Sequence, residues 1–222
     1  METYNIPKSI NNYYSKIQNN LYDYLVGSYT KFLYKDLFNS IEANSTILDI
    51  GIGNGSSLVE NSEIIKKKNL KIIGIDIDPG AIYLAKETLT ENNLCDYVQV
   101  NCINVFEYEP DQKFDYIFFS NSFSVIPEIT KMLKDVKSRL LKNSGKIVIA
   151  TTIEDKSSNL KSIVKENAKK VALGIDFGRL TTICDFINKI GEVNMRISNM
   201  KLVYESWYPV WGDIKIYSFY IE

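Results

Sequence analysis

The stretch Ile47-Leu48-Asp49-Ile50-Gly51-Ile52-Gly53-Asn54-Gly55 holds the chemistry most legible in this chain. An apolar run passes directly into three glycines at alternate positions. A buried parallel strand ends this way when its loop must let something come close to the backbone, since side chains at those glycines would block the approach. Asp49 stands inside the strand end. A second acid, Asp76, closes the next apolar run, Lys71-Ile72-Ile73-Gly74-Ile75-Asp76. Two carboxylates at neighbouring strand ends, beside a glycine-lined loop, imply a pocket for a nucleoside-bearing cofactor at the carboxyl edge of a doubly wound sheet.

Other chemistries are disfavoured by what the sequence lacks. It contains no histidine, which removes the commonest general base and the commonest metal ligand. Its three cysteines, Cys95, Cys102 and Cys184, are far apart and form no CxxC pair, so no metal centre is expected. An odd, scattered set of thiols points to a reducing, cytoplasmic compartment. The net charge of −1 provides no global positive field, so a small-molecule substrate is a better match than nucleic acid or protein. There is no apolar run of about 18 residues, hence no expected membrane span. The amino terminus is polar and tyrosine-rich, unlike a secretory signal. Oligomeric state stays open, a homodimer included.

The elements that must position these residues alternate. Residues 9–41 have apolar side chains at helical spacing, with Gly27 and Ser28 separating two helices. Strands are expected at 46–50, 71–76, 97–101, 114–119 and 146–150. Helices are expected at 56–67, 79–91 (with Pro79 in its first turn), 128–142, 157–172 and 181–190. Asn143-Ser144-Gly145 reads as a turn, and two strands at 200–208 and 213–221 close the chain. Strand–helix alternation predicts an α/β fold with a parallel sheet, and the short Pro209-Val210-Trp211-Gly212 link makes the last two strands antiparallel. With 222 residues, 45% hydrophobic and 24% charged, and no linker or repeat, a single domain over 1–222 is expected.

The motifs Asp49-x-Gly51-x-Gly53-x-Gly55, Gly74-x-Asp76-x-Asp78-Pro79, Phe114-Asp115-Tyr116-Ile117 and Leu140-Leu141-Lys142-x-x-Gly145 resemble, in order and spacing, the class I S-adenosylmethionine-dependent methyltransferases. The resemblance covers roughly 45–152. It implies a doubly wound, mostly parallel seven-stranded sheet with a reversed last strand, with 1–44 as an amino-terminal helical lid and 45–222 as a Rossmann-like core. Nicotinamide-linked oxidoreductases are the nearest alternative. Their loop is G-x-G-x-x-G, whereas here Ser56 takes the last glycine's place, and their fingerprint has no acid like Asp49.

The resemblance also implies roles. Gly51, Gly53 and Gly55 would pass beneath the cofactor, and Asp49 would orient its ammonium. Asp76 would accept from both ribose hydroxyls, Ile77 would lie against the adenine, and Asp78 reads as a helix cap. Asn104, with Val105 beside it, takes the place of an acid that often binds the adenine amine. Ser120 would border the cofactor, with Asn121 and Ser122 near a substrate heteroatom. The segment Ser120-Asn121-Ser122-Phe123 lacks the two prolines common in amino methyltransferases acting on nucleobases or glutamine. Tyr13 and Tyr14 belong to the lid. Trp207, Tyr208 and Trp211 read either as an aromatic substrate wall or as a plug of the sheet edge, with Asp213 available to pair a cation. Arg179 reads as an anion contact or a surface residue.

The implied reaction is in-line methyl transfer from S-adenosylmethionine, giving S-adenosylhomocysteine, to a small or mid-sized acceptor. Proximity and orientation alone can supply roughly 7–11 kcal/mol, so no acid–base pair is demanded. If a base is needed, Glu128, Asp176, Asp213 or a tyrosine must serve. A catalytically inactive scaffold of the same fold is the remaining alternative.

Overall fold

Alternation along strand β1 (Thr46–Ile50) sorts its side chains into two cores. Leu48 and Ile50 face one way with Ile75, Ile117, Phe119, Ile147 and Ile149. Ile47 faces the other way with Ile72, Phe118, Val148 and Ala150. Because both faces are covered, no residue from Ile47 to Ile50 is exposed, the mark of a central parallel strand.

The computed structural model describes residues 28–154, 181–208 and 212–222. Further strands are β2 (Lys71–Asp76), β3 (Val98–Cys102), β4 (Phe114–Ser120), β5 (Leu141–Glu154), β6 (Thr181–Thr182), β7 (Ile197–Tyr208) and β8 (Gly212–Ile221). Seven of them form one sheet in the order β3-β2-β1-β4-β5-β8-β7. β1 to β5 are parallel, and β8 runs against both β5 and β7. The reversed last strand expected from the sequence is therefore present. The order reverses between β1 and β4, the switch point at which doubly wound sheets open a crevice.

Helices cover both faces. α1 (Ser28–Ser40) joins the second core through Tyr29, Leu33, Tyr34, Leu37 and Phe38. α2 (Ser56–Val59), α3 (Ser62–Lys68) and α4 (Pro79–Glu91) follow β1 and β2. α5 (Ile129–Asp135) and α6 (Ile183–Gly191) cover the first core with Met132, Leu133, Phe186 and Ile190. α4 begins as the sequence predicts. The Asp78 side chain accepts from the Gly80 amide at 2.8 Å, and Pro79 occupies the first turn.

Several boundaries differ from expectation for local reasons. The helix expected over 56–67 is two helices, because Asn61 Nδ2 donates to the Ser57 carbonyl one turn back, at 2.8 Å, and to the Lys31 carbonyl at 3.0 Å. The helix expected over 128–142 ends at Asp135 and continues as a π turn over Val136–Leu140, which buries both Val136 and Leu140. Asn143-Ser144-Gly145 is an irregularity within β5, not a separate turn before it. Phe114 pairs with Leu141 and Tyr116 with Lys146. A side chain at Gly145 would press on the Asp115 carbonyl at 2.8 Å, so the irregularity needs glycine. The two-residue β6 has no period to betray it and was not expected. The helix expected at 157–172 lies outside the described residues. No helix among the described residues is long and apolar enough to cross a membrane.

Candidate functional site

The carboxyl ends of β1 and β2 are tied together by backbone. Gly51 donates its amide to the Ile75 carbonyl at 2.8 Å, and Gly53 donates to Asp76 Oδ2 at 3.0 Å. Asp76 Oδ1 accepts from the Asp78 amide at 3.0 Å. Burial pushes the Asp76 carboxyl above its usual value, and these amides pull it back. The loop between needs left-handed backbone, with φ +81° at Gly51 and +63° at Gly53. Gly74 within β2 leaves room for Ile52, whose side chain a Cβ there would overlap.

The glycines do different things. A Cβ at Gly51 would run into Ser122, whose hydroxyl donates to the Ile50 carbonyl and so joins the end of β4 to the end of β1. A Cβ at Gly53 would meet nothing within 4 Å. The open approach is therefore at Gly53, while at Gly51 the space belongs to Ser122.

Asp49 is fully buried. Its Oδ2 accepts from the Tyr34 hydroxyl at 2.7 Å, and its Oδ1 has no partner among the described residues. Burial pushes the carboxyl up to about 7, the Tyr34 bond opposes that rise, and the charge of Asp76 adds to it. Asp49 pairs in register with Phe118, so Ser120 lies on the same sheet face, two residues farther along β4. Ser120 Oγ and Asn121 Nδ2 are also buried without partners, and Asn121 has φ +57°. Among the described residues four buried side-chain polar atoms lack partners, and three of them cluster at these two strand ends. Buried polar groups are nearly always satisfied, so a cluster of exceptions calls for an explanation at these strand ends.

Ile77, directly after Asp76, leaves its side chain 73% exposed. Beyond β3, Asn104 is exposed and its side-chain oxygen accepts from the Phe106 amide at 3.1 Å, holding a turn. Val105 is buried, and its carbonyl accepts from Arg139 Nη2 at 3.2 Å. Arg139 also donates to the Tyr108 carbonyl at 2.7 Å and grips Asp135 through two nitrogens. Together these bonds fix the segment that carries Asn104 and Val105 against the π turn that follows α5.

β7 runs in the direction of β5, so its carboxyl end lies on the same sheet edge as the glycine loop. Trp207 there is 65% exposed, which argues against a buried plug. Glu128 sits at the surface in an ion pair with Lys131. Tyr13, Tyr14, Asp176, Arg179 and Trp211 lie outside the described residues, as do the side chains of Tyr208 and Asp213. Sequence reasoning missed Tyr34 and Arg139. The stripe Leu33, Leu37, Phe38 would have placed Tyr34 on the buried face of α1, whereas nothing in the sequence separates Arg139 from a surface arginine.

A doubly wound, mostly parallel sheet with one reversed strand and helices on both faces defines the α/β class. Residues 41–206 match the family described as "Methyltransferase domain", and the chain belongs to that family. It is 27% identical over 168 residues to phosphoethanolamine N-methyltransferase 2 of Caenorhabditis elegans, covering 73% of this chain and 36% of that protein. It is 28% identical over 143 residues to the ribosomal protein L11 methyltransferase of Alkaliphilus oremlandii, covering 64% of this chain and 43% of that protein. The chain thus spans less than half the length of either relative. A solved structure of similar fold is the SAM-dependent methyltransferase from Thiobacillus denitrificans in complex with S-adenosyl-L-homocysteine. Its TM-score is 0.63 at 13% identity, covering 86% of this chain and 90% of that one.

Proposed function

We propose that this chain binds S-adenosylmethionine at the β1–β4 switch point and transfers its methyl group to a small or mid-sized acceptor, releasing S-adenosylhomocysteine. The observation that carries the reading is the cluster of partnerless buried atoms, Asp49 Oδ1, Ser120 Oγ and Asn121 Nδ2, in a member of the methyltransferase family. One acceptor and two potential donors suit a zwitterionic amino-acid tail. The open space over Gly53 and the exposed Ile77 support an adenosine at the neighbouring strand end.

In this reading Asp76 offers its remaining lone pairs to the ribose hydroxyls while Gly53 and Asp78 hold it still. Ile77 covers one face of the adenine, and Asn104 and Val105 border its edge. Gly51 and Gly55 shape the loop. Asp49 accepts from the ammonium, with Ser120 and Asn121 as neighbouring contacts. Ser122 is committed to the Ile50 carbonyl, which favours a structural role over the substrate contact expected for it. When bound, the sulfonium supplies an electrophilic methyl group. The protein's part is to orient it and exclude water. Tyr14 and Asp213 stay candidates for the acceptor side.

We further read the chain as a single domain, with 1–44 as a lid on the 45–222 core. The docking of α1 supports this, through Tyr34 on Asp49 and through Thr30 on Ser57 at 2.8 Å. A cytoplasmic setting is supported by three exposed, free cysteines. The relatives named above act on a phosphorylated amine and on a ribosomal protein, so a small acceptor remains the preferred reading on charge alone.

Native mass spectrometry of the chain incubated with S-adenosylmethionine and reduced nicotinamide dinucleotide together tests the reading. Retention of the sulfonium or its demethylated product supports it. Retention of the nicotinamide instead would overturn it, and donor binding without turnover on any acceptor would mark the chain as an inactive scaffold.

A further inference from the structure

The carboxylate of Asp49 is cut off from water, and among the described residues its side-chain hydrogen bond comes from a different layer of the fold. Tyr34, on α1, donates to Oδ2 at 2.7 Å and is itself 3% exposed. Its ring is wedged edge-on against Phe118, with centroids 5.1 Å apart, and lies against Phe38 at 5.8 Å. α1 is pinned beside the glycine loop by Thr30 on Ser57 and by the Lys31 carbonyl accepting from Asn61. A donor so immobilised fixes the rotation of the carboxylate, which decides that the oxygen left without a partner is Oδ1.

We propose that Tyr34 is a positioning residue for the cofactor's amino-acid tail: by holding Asp49 Oδ2 it presents Oδ1 as the acceptor for the ammonium, so that docking of α1 and recognition of that tail are linked. This rests on the reading of the cofactor as S-adenosylmethionine. Among the described residues the titratable groups bearing on Asp49 are Tyr34 from α1 and Asp76 from β2, while β4 opposes it with the neutral Phe118 and, farther along, Ser120, with Ser122 just beyond the strand. Burial drives the Asp49 carboxyl up to about 7 and the Tyr34 bond restrains it, so the ionised form that an ammonium needs depends on that bond.

Calorimetric titration of the full chain with two probes isolates the effect. S-adenosylhomocysteine carries the amino-acid tail. 5′-Methylthioadenosine keeps the adenosine and the thioether but has no tail. In the unaltered chain the first ligand should bind more tightly at about pH 8 than at about pH 6, and the second should show no such step. Tyr34→Phe should weaken the first roughly ten-fold at about pH 8, leave the second within about two-fold, and move the pH midpoint of the first upward. Asp49→Asn should abolish the pH step, and adding Tyr34→Phe to it should cost nothing further. That double variant carries no buried charge, so it serves if the single Tyr34→Phe variant does not fold. Equal weakening of both ligands, an unmoved midpoint, or further loss in the double variant would each overturn the proposal while leaving the cofactor reading intact. Failure of the unaltered chain to bind either ligand would sink the cofactor reading, and this inference with it.

Discussion

The Gly53 amide donates to Asp76 Oδ2 at 3.0 Å, so the loop after β1 is clamped by the acid that ends β2. The same carboxylate takes the Asp78 amide on its other oxygen. Both oxygens are thus aimed before any ligand arrives, which lowers the ordering cost of binding. Asp76→Asn puts an NH2 group against one of those two amide donors. Hydrogen bonds to charged groups contribute about 1.5–3 kcal/mol each. S-adenosylhomocysteine affinity, measured by calorimetry, should fall roughly ten- to hundred-fold, and further for Asp76→Ala. Affinities within about three-fold of the unaltered chain would remove Asp76 from the site.

Gly51 and Gly53 separate two reasons for being glycine. At Gly51 both the left-handed backbone and the Ser122 side chain oppose a Cβ. Gly51→Ala should therefore lose well over the about 1–2 kcal/mol of backbone strain alone, read as a large drop in melting temperature. At Gly53 only the backbone opposes it, since nothing lies within 4 Å. Gly53→Ala should cost about 1 kcal/mol of stability yet reduce cofactor binding disproportionately, because its methyl enters the space proposed for the ligand. Equal effects of the two substitutions on binding would contradict that division.

Asp49 makes the ligand-free chain less stable as pH rises. Its folded-state value of about 7 lies above the ordinary 3.8, so between these values the native state holds a proton that the unfolded chain has released. Stability therefore declines through that window, and the full penalty, roughly 4 kcal/mol, is present above about pH 7. Asp49→Asn has no such proton. The melting temperature of the variant minus that of the unaltered chain should widen from about pH 5 to about pH 8. A constant gap would mean that Asp49 does not titrate in this window.

Local signals carried the fold. β1 and α4 begin and end where apolar runs, Asp78 and Pro79 said they would, because strand burial and helix capping are decided within a few residues. The irregularity at Asn143–Gly145 was not legible, since it is set by the register of β5 on β4, and the π turn at Val136–Leu140, which buries both of its ends, breaks no local spacing rule that could announce it. The site divides in the same way. Asp49, Gly53 and Asp76 announce themselves by spacing in the chain. Tyr34 and Arg139 reach their partners across 15 and 31 residues or more, and no spacing rule encodes such contacts. Ser122 shows the opposite failure, being suited by type to touch a substrate but taken up by the Ile50 carbonyl.

Ile77 offers a test that separates the adenosine from the tail. Its side chain is 73% exposed, so in the free protein it contributes little packing. Ile77→Ser should leave the melting temperature nearly unchanged. Burying an isoleucine side chain against a ligand contributes about 1.5–3 kcal/mol when complete. The substitution should therefore weaken both S-adenosylhomocysteine and 5′-methylthioadenosine roughly ten-fold, since both present the same adenine. Tyr34→Phe should spare the second ligand. The two variants thus act on opposite ends of one molecule, and a loss confined to S-adenosylhomocysteine in Ile77→Ser would place the adenine somewhere other than beside Ile77.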